Sequence, residues 1–520
     1  MTRGEARQNS EVRKGFQVNA TVKKRLRNSK RRIKNRLRKR RWQEQRRRMF
    51  PDRNIHYDVA DKVRGGRFGG LGTCLLLAKR LDLADALDGE LHLLKRHLPY
   101  HDSDHVLNLT YNILVGGTCI QDLELLRNDE HYLDALGTQR IPDPTTAGDF
   151  LRRFEAKDIA TLQRVINEKR LLVWQQQPKA FFEHAILEAD GTIAGTKGAC
   201  KKGMDLSYNG IWGYHPLLVS LANTQEPLFL FNRPASRPSH EGAAGYLDDA
   251  ADLCRRAGFL KISLRGDTDF SQTEHLDRWD DKGFRFVFGI DAMANLVALA
   301  QSLAQTAWQR LNRPAKYEVK TQQRTPPTAF KEEVVRQKGY KNIRLVSEDV
   351  AEFNYRPGAC KKDYRVVVLR KNLVVEKNGE KVEDRVRYHF YITNERDWSA
   401  AFVVSFANDR CNQENLIEQL KNGVKAMRLP VNTLESNWAY MVIAALAWTF
   451  KAWLALLQPK AEHRQTLLGM EFKQFLQVWL TLPCQILDRG RQFVFRLLSY
   501  NAWVPVLLAT VDLLRDLCLR

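Results

Sequence analysis

The sequence predicts an α/β protein, with one mixed sheet interrupted by a β-rich piece and flanked by helical regions. Three observations carry this expectation. Between 181 and 290, short apolar strand-like runs alternate with helical patterns. Between 317 and 393, β-branched and aromatic runs (YRVVVLR, NLVVE, RYHFYIT) replace that alternation. On both sides, apolar residues recur at helical spacing. At 520 residues, with 44% hydrophobic, 28% charged and 10% aromatic content, the chain suits a globular protein of roughly two to four domains.

The first element is a basic arm. Residues 1–50 hold 20 Lys/Arg against 3 acidic residues, a net +17 out of +23 for the chain; the other 470 residues carry 63 basic and 57 acidic side chains. Such an arm suits a polyanion, because each neutralised phosphate releases counterions. A solvated tail or an anionic membrane surface is the alternative, but no apolar anchor stands beside it. Lys30, Arg31, Arg32, Arg40 and Arg41 are the expected phosphate contacts. Val22, Leu26, Ile33 and Leu37 are spaced to share one helical face between Glu11 and Arg48. The charges precede no apolar signal region. The eight cysteines are scattered without a CxxC pair or zinc spacing, as expected of reduced thiols. The apolar run Tyr440–Leu457 contains Lys451 and reads as a buried helix rather than a membrane span. No membrane partner and a soluble, cytoplasmic protein are the expectation.

Next comes a helical region, 66–175, entered through the glycine-rich Gly66–Gly72. Helical patterns follow at Cys74–Leu87, Val106–Leu114 and Asp122–Leu126, and IPDPTTAGDFLRRF (Ile141–Phe154) carries a helix-start signal. His92, His97, His101 and His105 are read as surface or hydrogen-bonding groups, since Pro99 breaks their register. From Phe181, strands are expected at Ala185–Asp190, Tyr214–Leu221, Leu228–Phe231, Ile262–Leu264 and Phe284–Ile290, with helices at Gly242–Ala257 and Gln272–Lys282. A helix at Ala292–Leu311 leads into the β-rich piece, where Asn378-Gly379 supplies a hairpin turn. Helices return at Asn408–Met427, Thr433–Leu457 and Glu471–Leu480.

Within this frame three carboxylates line up. Asp190 ends the first strand. Asp267 follows Lys261–Leu264 and Gly266, which permits a sharp exit, and it reads either as a ligand or as a cap for a helix near Ser271. Asp269, two residues on, is assigned a capping or supporting role. Glu414 lies in the helix DRCNQENLIEQLKNGVKAMR beyond the β-rich piece. Two strand tips and a helix can converge at the carboxyl end of a sheet. Carboxylates without cysteine partners suit a hard cation such as Mg²⁺ or Mn²⁺. Two such ions would serve an in-line phosphoryl displacement. Arg410, Glu414, Ile417 and Lys421 share a helical face, which suits phosphates passing over it. An Arg410–Glu414 salt bridge on a solvated helix explains part of the same pattern, and Glu418 is a rival ligand one turn on.

The order strand-Asp, strand-Gly-Asp, β-rich insertion, helix-Glu resembles the DDE transposases of bacterial insertion sequences. Arg-x3-Glu-x6-Lys, from Arg410 to Lys421, matches the later part of a signature of one large group of them. That signature opens with Tyr three positions before the Arg, where this chain has Ala407. LEADGT, KKGMDLSYNGIWGYHPLLVSLANT, RPASRPSHEGA, RGDTDF and IQDLELLRNDEHYLDALG all resemble the group 1 DDE transposase domain and its leading region. The resemblance spans about 66–460. It implies a ribonuclease-H-like core and metal-dependent DNA strand cleavage and strand transfer. Asp190, Asp267 and Glu414 would be the catalytic, metal-binding triad holding two Mg²⁺ (or Mn²⁺) ions. Arg410 and Lys421 would hold phosphates. Arg265, beside Asp267, reads either as a phosphate contact or as the partner of a carboxylate, and Arg233 and Arg237 either as a DNA-tracking segment or as ordinary loop charges.

Implied partners are the element ends and target DNA as double strands, met by a homodimer assembled on DNA, in a bacterial cytoplasm at the nucleoid. Trp212 and Tyr214 are read as core. The expected divisions are the arm 1–50, a helical DNA-binding domain 51–178, a core in two parts (179–312 and 401–460), the insertion 313–400 and a helical C-terminal region 461–520. A domesticated nuclease or recombinase using the same triad is an alternative, and an inert sequence-specific DNA-binding protein is another.

Overall fold

The structure is a computed structural model that describes residues 20–40, 65–95, 99–313, 333–334, 338–377, 380–489 and 492–517. Of the arm, helix α1 (Ala20–Arg40) is described. Lys30, Arg31 and Arg32 are exposed on it, while Leu26 packs inward. Arg41 and the Arg40 side chain lie outside the described residues, as do Val22, Ile33, Leu37, His97 and the Asn378-Gly379 turn.

A helical layer follows. Helices α2 (Leu71–Arg80) and α3 (Leu83–Glu90) are separated where Asp82 adopts φ +46°, which breaks the single pattern expected across Cys74–Leu87. Helix α4 (Asp102–Leu114), the short α5 (Leu123–Leu126) and α6 (Glu130–Leu136) come next. Helix α7 (Pro144–Leu151) starts where the sequence signals it: Asp143 accepts the amides of Thr145 and Thr146, with Pro144 in the first turn. His105 is buried and stacked on Phe150, and His101 stands 3.7 Å from Asp88, so neither joins a metal cluster. The long α8 (Ala156–Trp174) then packs against the sheet.

The core is one nine-stranded mixed sheet, ordered β6-β5-β1-β7-β8-β12-β11-β10-β9. Strand β1 spans His184–Gly191; β2 (Ala194–Gly195), β3 (Asp205–Leu206) and β4 (Trp212–Tyr214) form a separate small sheet. The strand expected across Tyr214–Leu221 is divided at Pro216, which has no amide to give a ladder. Beyond it, β5 (Leu217–Leu221) returns antiparallel to β1 and pairs with β6 (Glu226–Phe231). Helix α9 (Ala243–Ala257) crosses over to β7 (Lys261–Gly266), which lies parallel to β1. Helix α10 (Leu276–Asp281) leads to β8 (Arg285–Ile290), parallel to β7. After α11 (Ala294–Ser302) and β9 (Gln309–Arg310), the long strands β10 (Lys341–Tyr355), β11 (Tyr364–Lys377) and β12 (Glu380–Thr393) continue the same sheet, with β12 antiparallel to β8.

Alternation along β1 decides which side carries the chemistry. Ala185, Leu187 and Ala189 face the larger core with α9. Ile186 faces a second apolar cluster built on Val287, Val367, Val403 and Phe406. Helix α12 (Ala400–Asn408) covers that second face. Helix α13 (Cys411–Glu418) follows after a kink and runs into a π-helical turn, Gln419–Gly423. Helix α14 (Leu434–Leu456) is the one described helix long and apolar enough to cross a membrane, and its apolar window is wholly buried in protein.

After α15 (Ala461–Gly469) and α16 (Phe472–Phe475), the C-terminal region departs from its expected helical character. Strands β13 (Cys484–Arg489) and β14 (Gln492–Leu497) form a hairpin before α17 (Val504–Asp516). The alternation Phe493-Val-Phe495-Arg-Leu497 is a strand pattern. The glycine-rich entry packs against this region: a Cβ on Gly70 would come within 1.9 Å of the Trp479 carbonyl oxygen. Close backbone approach explains that glycine.

Candidate active site

Strands β1 and β7 pair in parallel with Glu188 opposite Arg265. Two residues further along each strand, Asp190 and Asp267 stand at one level at the carboxyl end. Helix α13 brings the third group. Its N-cap residue, Arg410, places Nη1 3.1 Å from Asp190 Oδ2 and 3.7 Å from Asp267 Oδ2, and Nη2 3.4 Å from Glu414 Oε1. Three carboxylates from three separate segments therefore meet one guanidinium. Exposure rises across the set: 15% for the Asp190 side chain, 21% for Arg410, 35% for Asp267 and 58% for Glu414. One side of the site is sealed by protein and the other opens to solvent.

Asp267 fills the capping role that the sequence allowed, and it faces Arg410 as well. Oδ1 accepts the Asp269 amide at 3.1 Å and caps a short 3₁₀ turn, Thr268–Phe270, while Oδ2 faces Arg410. The cap role assigned to Asp269 thus belongs to Asp267, and the Asp269 side chain is exposed. The turn lies hard against β8: a Cβ on Gly289 would approach the Thr268 nitrogen to 2.9 Å. Gly266 has no left-handed φ, so close packing against Phe270 and Phe288 explains it better than a sharp exit.

Burial pushes the Asp190 carboxyl up to about 7; Arg410 opposes this, and the like charges of Asp267 and Glu414 add to it. Burial raises Asp267 too, again against Arg410. Burial lowers Lys421, with Glu418 and Asp190 pulling the other way, which puts its ammonium within electrostatic reach of the site. Lys421 sits in the π-helical turn, so the single α-helical face expected from Arg410 to Lys421 is not continuous. Glu418 is exposed and bonded to Asn422 rather than to Arg410.

Three expected DNA contacts are placed differently. Arg265 is 4% exposed, paired with Glu188, and donates to the Phe406 carbonyl. Arg233 is 2% exposed and donates to the carbonyls of His215, Pro238, Ser239 and Glu241, organising its loop. Neither guanidinium faces solvent, which corrects the DNA-contact reading for both; for Arg265 the carboxylate-pairing alternative is the one observed. Arg237 is exposed but shared with Glu241. Of the two aromatics read as core, Tyr214 is buried and Trp212 is half exposed.

Beside Asp267 a cleft of about 370 Å³ runs between β8, β12 and the kink, lined by Tyr388, His389, Tyr391, Ala407 and Asn408 among others. Of these, Ala407 is joined to the site by its place three residues before Arg410; no spacing joins Tyr388, His389 or Tyr391 to it. Glu188 and Arg265 were legible in principle, as opposite charges two residues before each strand-end aspartate.

Among the described residues, no three His, Cys, Asp or Glu side chains stand in metal-binding geometry. Instead, the Arg410 guanidinium stands 3.1, 3.7 and 3.4 Å from the carboxylates of Asp190, Asp267 and Glu414. By donor chemistry the set still fits a hard divalent cation, being all carboxylate oxygen.

Residues 55–518 match the family described as transposase DDE domain group 1. No curated protein matches the sequence. A similar solved structure is the cryo-EM structure of a piggyBac transposase synaptic complex with hairpin DNA; it shares 9% identity over 80% of this chain and 86% of that chain, at a TM-score of 0.34.

Proposed function

The chain belongs to the transposase DDE domain group 1 family, and on that premise we propose that it cuts DNA at the ends of an insertion sequence and joins the freed strands to target DNA. The family carries phosphoryl-transfer chemistry on DNA. The observation that supports these residues is the meeting of Asp190, Asp267 and Glu414 on Arg410 at the carboxyl end of the sheet. The strand order β6-β5-β1-β7-β8, with β1, β7 and β8 parallel, supports reading the core as ribonuclease-H-like. On this reading 313–400 is an insertion, 51–178 a DNA-binding region and 461–520 a further region after the core.

Asp190, Asp267 and Glu414 would hold two divalent ions, Mg²⁺ or Mn²⁺. Bound there, such ions activate the attacking oxygen and offset charge on the scissile phosphate. The chain's own residues do the rest. Arg410 lies beside all three carboxylates and can turn from them to fork onto a phosphate. Lys421 adds a point charge from the next turn. The open side at Glu414 admits the DNA backbone, and the sealed side at Asp190 excludes bulk water. Lys30, Arg31, Arg32 and, beyond the described side chains, Arg40 and Arg41 extend the contact along the duplex, with Arg237 as a further candidate. A homodimer would form when two ends are bound.

The test is a strand-cleavage assay on a labelled duplex carrying the ends of the element, with Mg²⁺. Wild type should give nicked or joined products. Asp267→Ala should give none, while binding the same duplex within about twofold. Products from Asp267→Ala at the wild-type rate would end the proposal.

A further inference from the structure

We infer that Arg265 is a positioning residue that sets the place of Glu414, an inference that rests on the proposed role of the carboxylate triad. Arg265 sits two residues before Asp267 on β7, and Glu188 two residues before Asp190 on β1, in direct register. The pair is almost sealed, with side-chain exposures of 4% and 1%. Arg265 Nε and Nη2 both reach Glu188 Oε1, at 2.8 and 2.5 Å. Nη1 remains, and it donates to the Phe406 carbonyl at 2.6 Å. The guanidinium carbon also lies 4.6 Å from the centre of the Phe406 ring.

The Phe406 carbonyl is where the third arm of the site is hinged. Phe406 is in the last turn of α12, where helix carbonyls lack an amide four residues on. The chain kinks there: the Arg410 amide donates to Ala407 rather than to Phe406. A buried cation at a helix carboxyl end both satisfies the carbonyl and suits the helix dipole. Four residues past Phe406 comes Arg410, and four further Glu414. On the far side, Gln413 is buried and reaches Leu218 O and Ser220 Oγ on β5. The Glu414 helix is therefore pinned to the sheet at two points, and one of them runs through the strand that carries Asp267.

Arg265 thus couples the strands bearing two carboxylates to the helix bearing the third. It needs no contact with DNA or metal. Its planar fork matters, because one group must serve Glu188 and Phe406 O at once.

The experiment uses the full chain, amide hydrogen exchange across 407–414 without metal, and Mn²⁺ as the probe in calorimetric titrations. Removing Arg265 alone strands a buried carboxylate, so the main variant is Glu188→Leu/Arg265→Leu, which removes both charges. Arg265→Lys is the second variant; it keeps a cation for Glu188 and loses the fork. Both should speed exchange across 407–414 several-fold and weaken Mn²⁺ binding about tenfold, the usual scale for a group that orients a metal ligand. Glu414→Gln should weaken Mn²⁺ about tenfold in wild type and less than about twofold in either variant, the non-additivity of groups acting as a unit. Unchanged exchange, or a Glu414→Gln effect equal in all backgrounds, overturns the positioning role. Faster exchange with Glu414→Gln binding Mn²⁺ as wild type does keeps the tether, but it overturns the metal reading and with it the role assigned to Arg265.

Discussion

Among single residues, Asp190 carries the most informative electrostatics. Its ordinary carboxyl value is 3.8, and burial raises it to about 7 in the folded chain. A raised folded value favours the protonated form, so this contribution is fully present below about pH 4 and is lost as pH rises through about 7. Asp190→Asn removes that loss. In the metal-free protein its stability should gain on wild type as pH goes from 5 to about 7, by up to ~3 kcal/mol at ~1.4 kcal/mol per pH unit, and level off by pH 8. Thermal melts in EDTA across that range check it, and a pH-independent difference would refute it. Arg410→Ala should act oppositely, leaving three carboxylates uncompensated and costing ~1–3 kcal/mol without metal. Melts with saturating Mg²⁺ should recover most of that cost. The three carboxylates and their order were legible in the sequence, because strand ends and a helix carry them with clear local signals. That Asp267 caps with one oxygen and faces Arg410 with the other was not, since one residue type serves both roles and only geometry divides them. The inward turn of Arg233 was equally hidden, because an arginine in a loop reads as surface until its partners are found.

Individual elements are tied together by buried polar groups. Glu226 on β6 is wholly buried and accepts from Arg170 and Trp174 of α8, Thr224, and Trp453 of α14. One carboxylate thus joins a sheet edge to two helices. Arg170→Met should cost ~3–5 kcal/mol, because it leaves that charge with fewer partners. Arg170→Met/Glu226→Leu should cost clearly less than the single change. Urea titrations of both variants decide it, and equal losses would contradict the account. Long periodic elements such as α9 and α14 were readable from apolar spacing. The β13–β14 hairpin was only half readable: Phe493–Leu497 alternates as a strand does, but its partner strand is short and their neighbours are helical. The junction between α12 and α13 was half legible: a helix start was expected at Asn408, where Asn and Asp favour caps and turns, while α12 ahead of it was not foreseen. Tertiary contact with Arg265 is what stabilises the junction.

For the whole molecule, charge is divided unevenly, with +17 of +23 in residues 1–50. Deleting them should weaken DNA binding tenfold or more at low salt and flatten the slope of log affinity against log salt by about 0.9 per lost phosphate contact. An unchanged slope in fluorescence anisotropy would refute the arm's role. The arm was the plainest reading in the sequence because charge counts need no fold. How the β-rich piece joins the core was not legible: β10 to β12 do not form a separate body but extend the sheet through β8. This brings Tyr388 and Tyr391 to the cleft beside Asp267. The central claim is that Asp190, Asp267 and Glu414 form one divalent-cation site. Anomalous scattering from crystals soaked in Mn²⁺ tests it most directly. The account predicts a peak bounded by Asp190 and Asp267, lost in Asp190→Asn. No peak there at Mn²⁺ concentrations that support DNA cleavage, with Arg410 still seated on the three carboxylates, would contradict it.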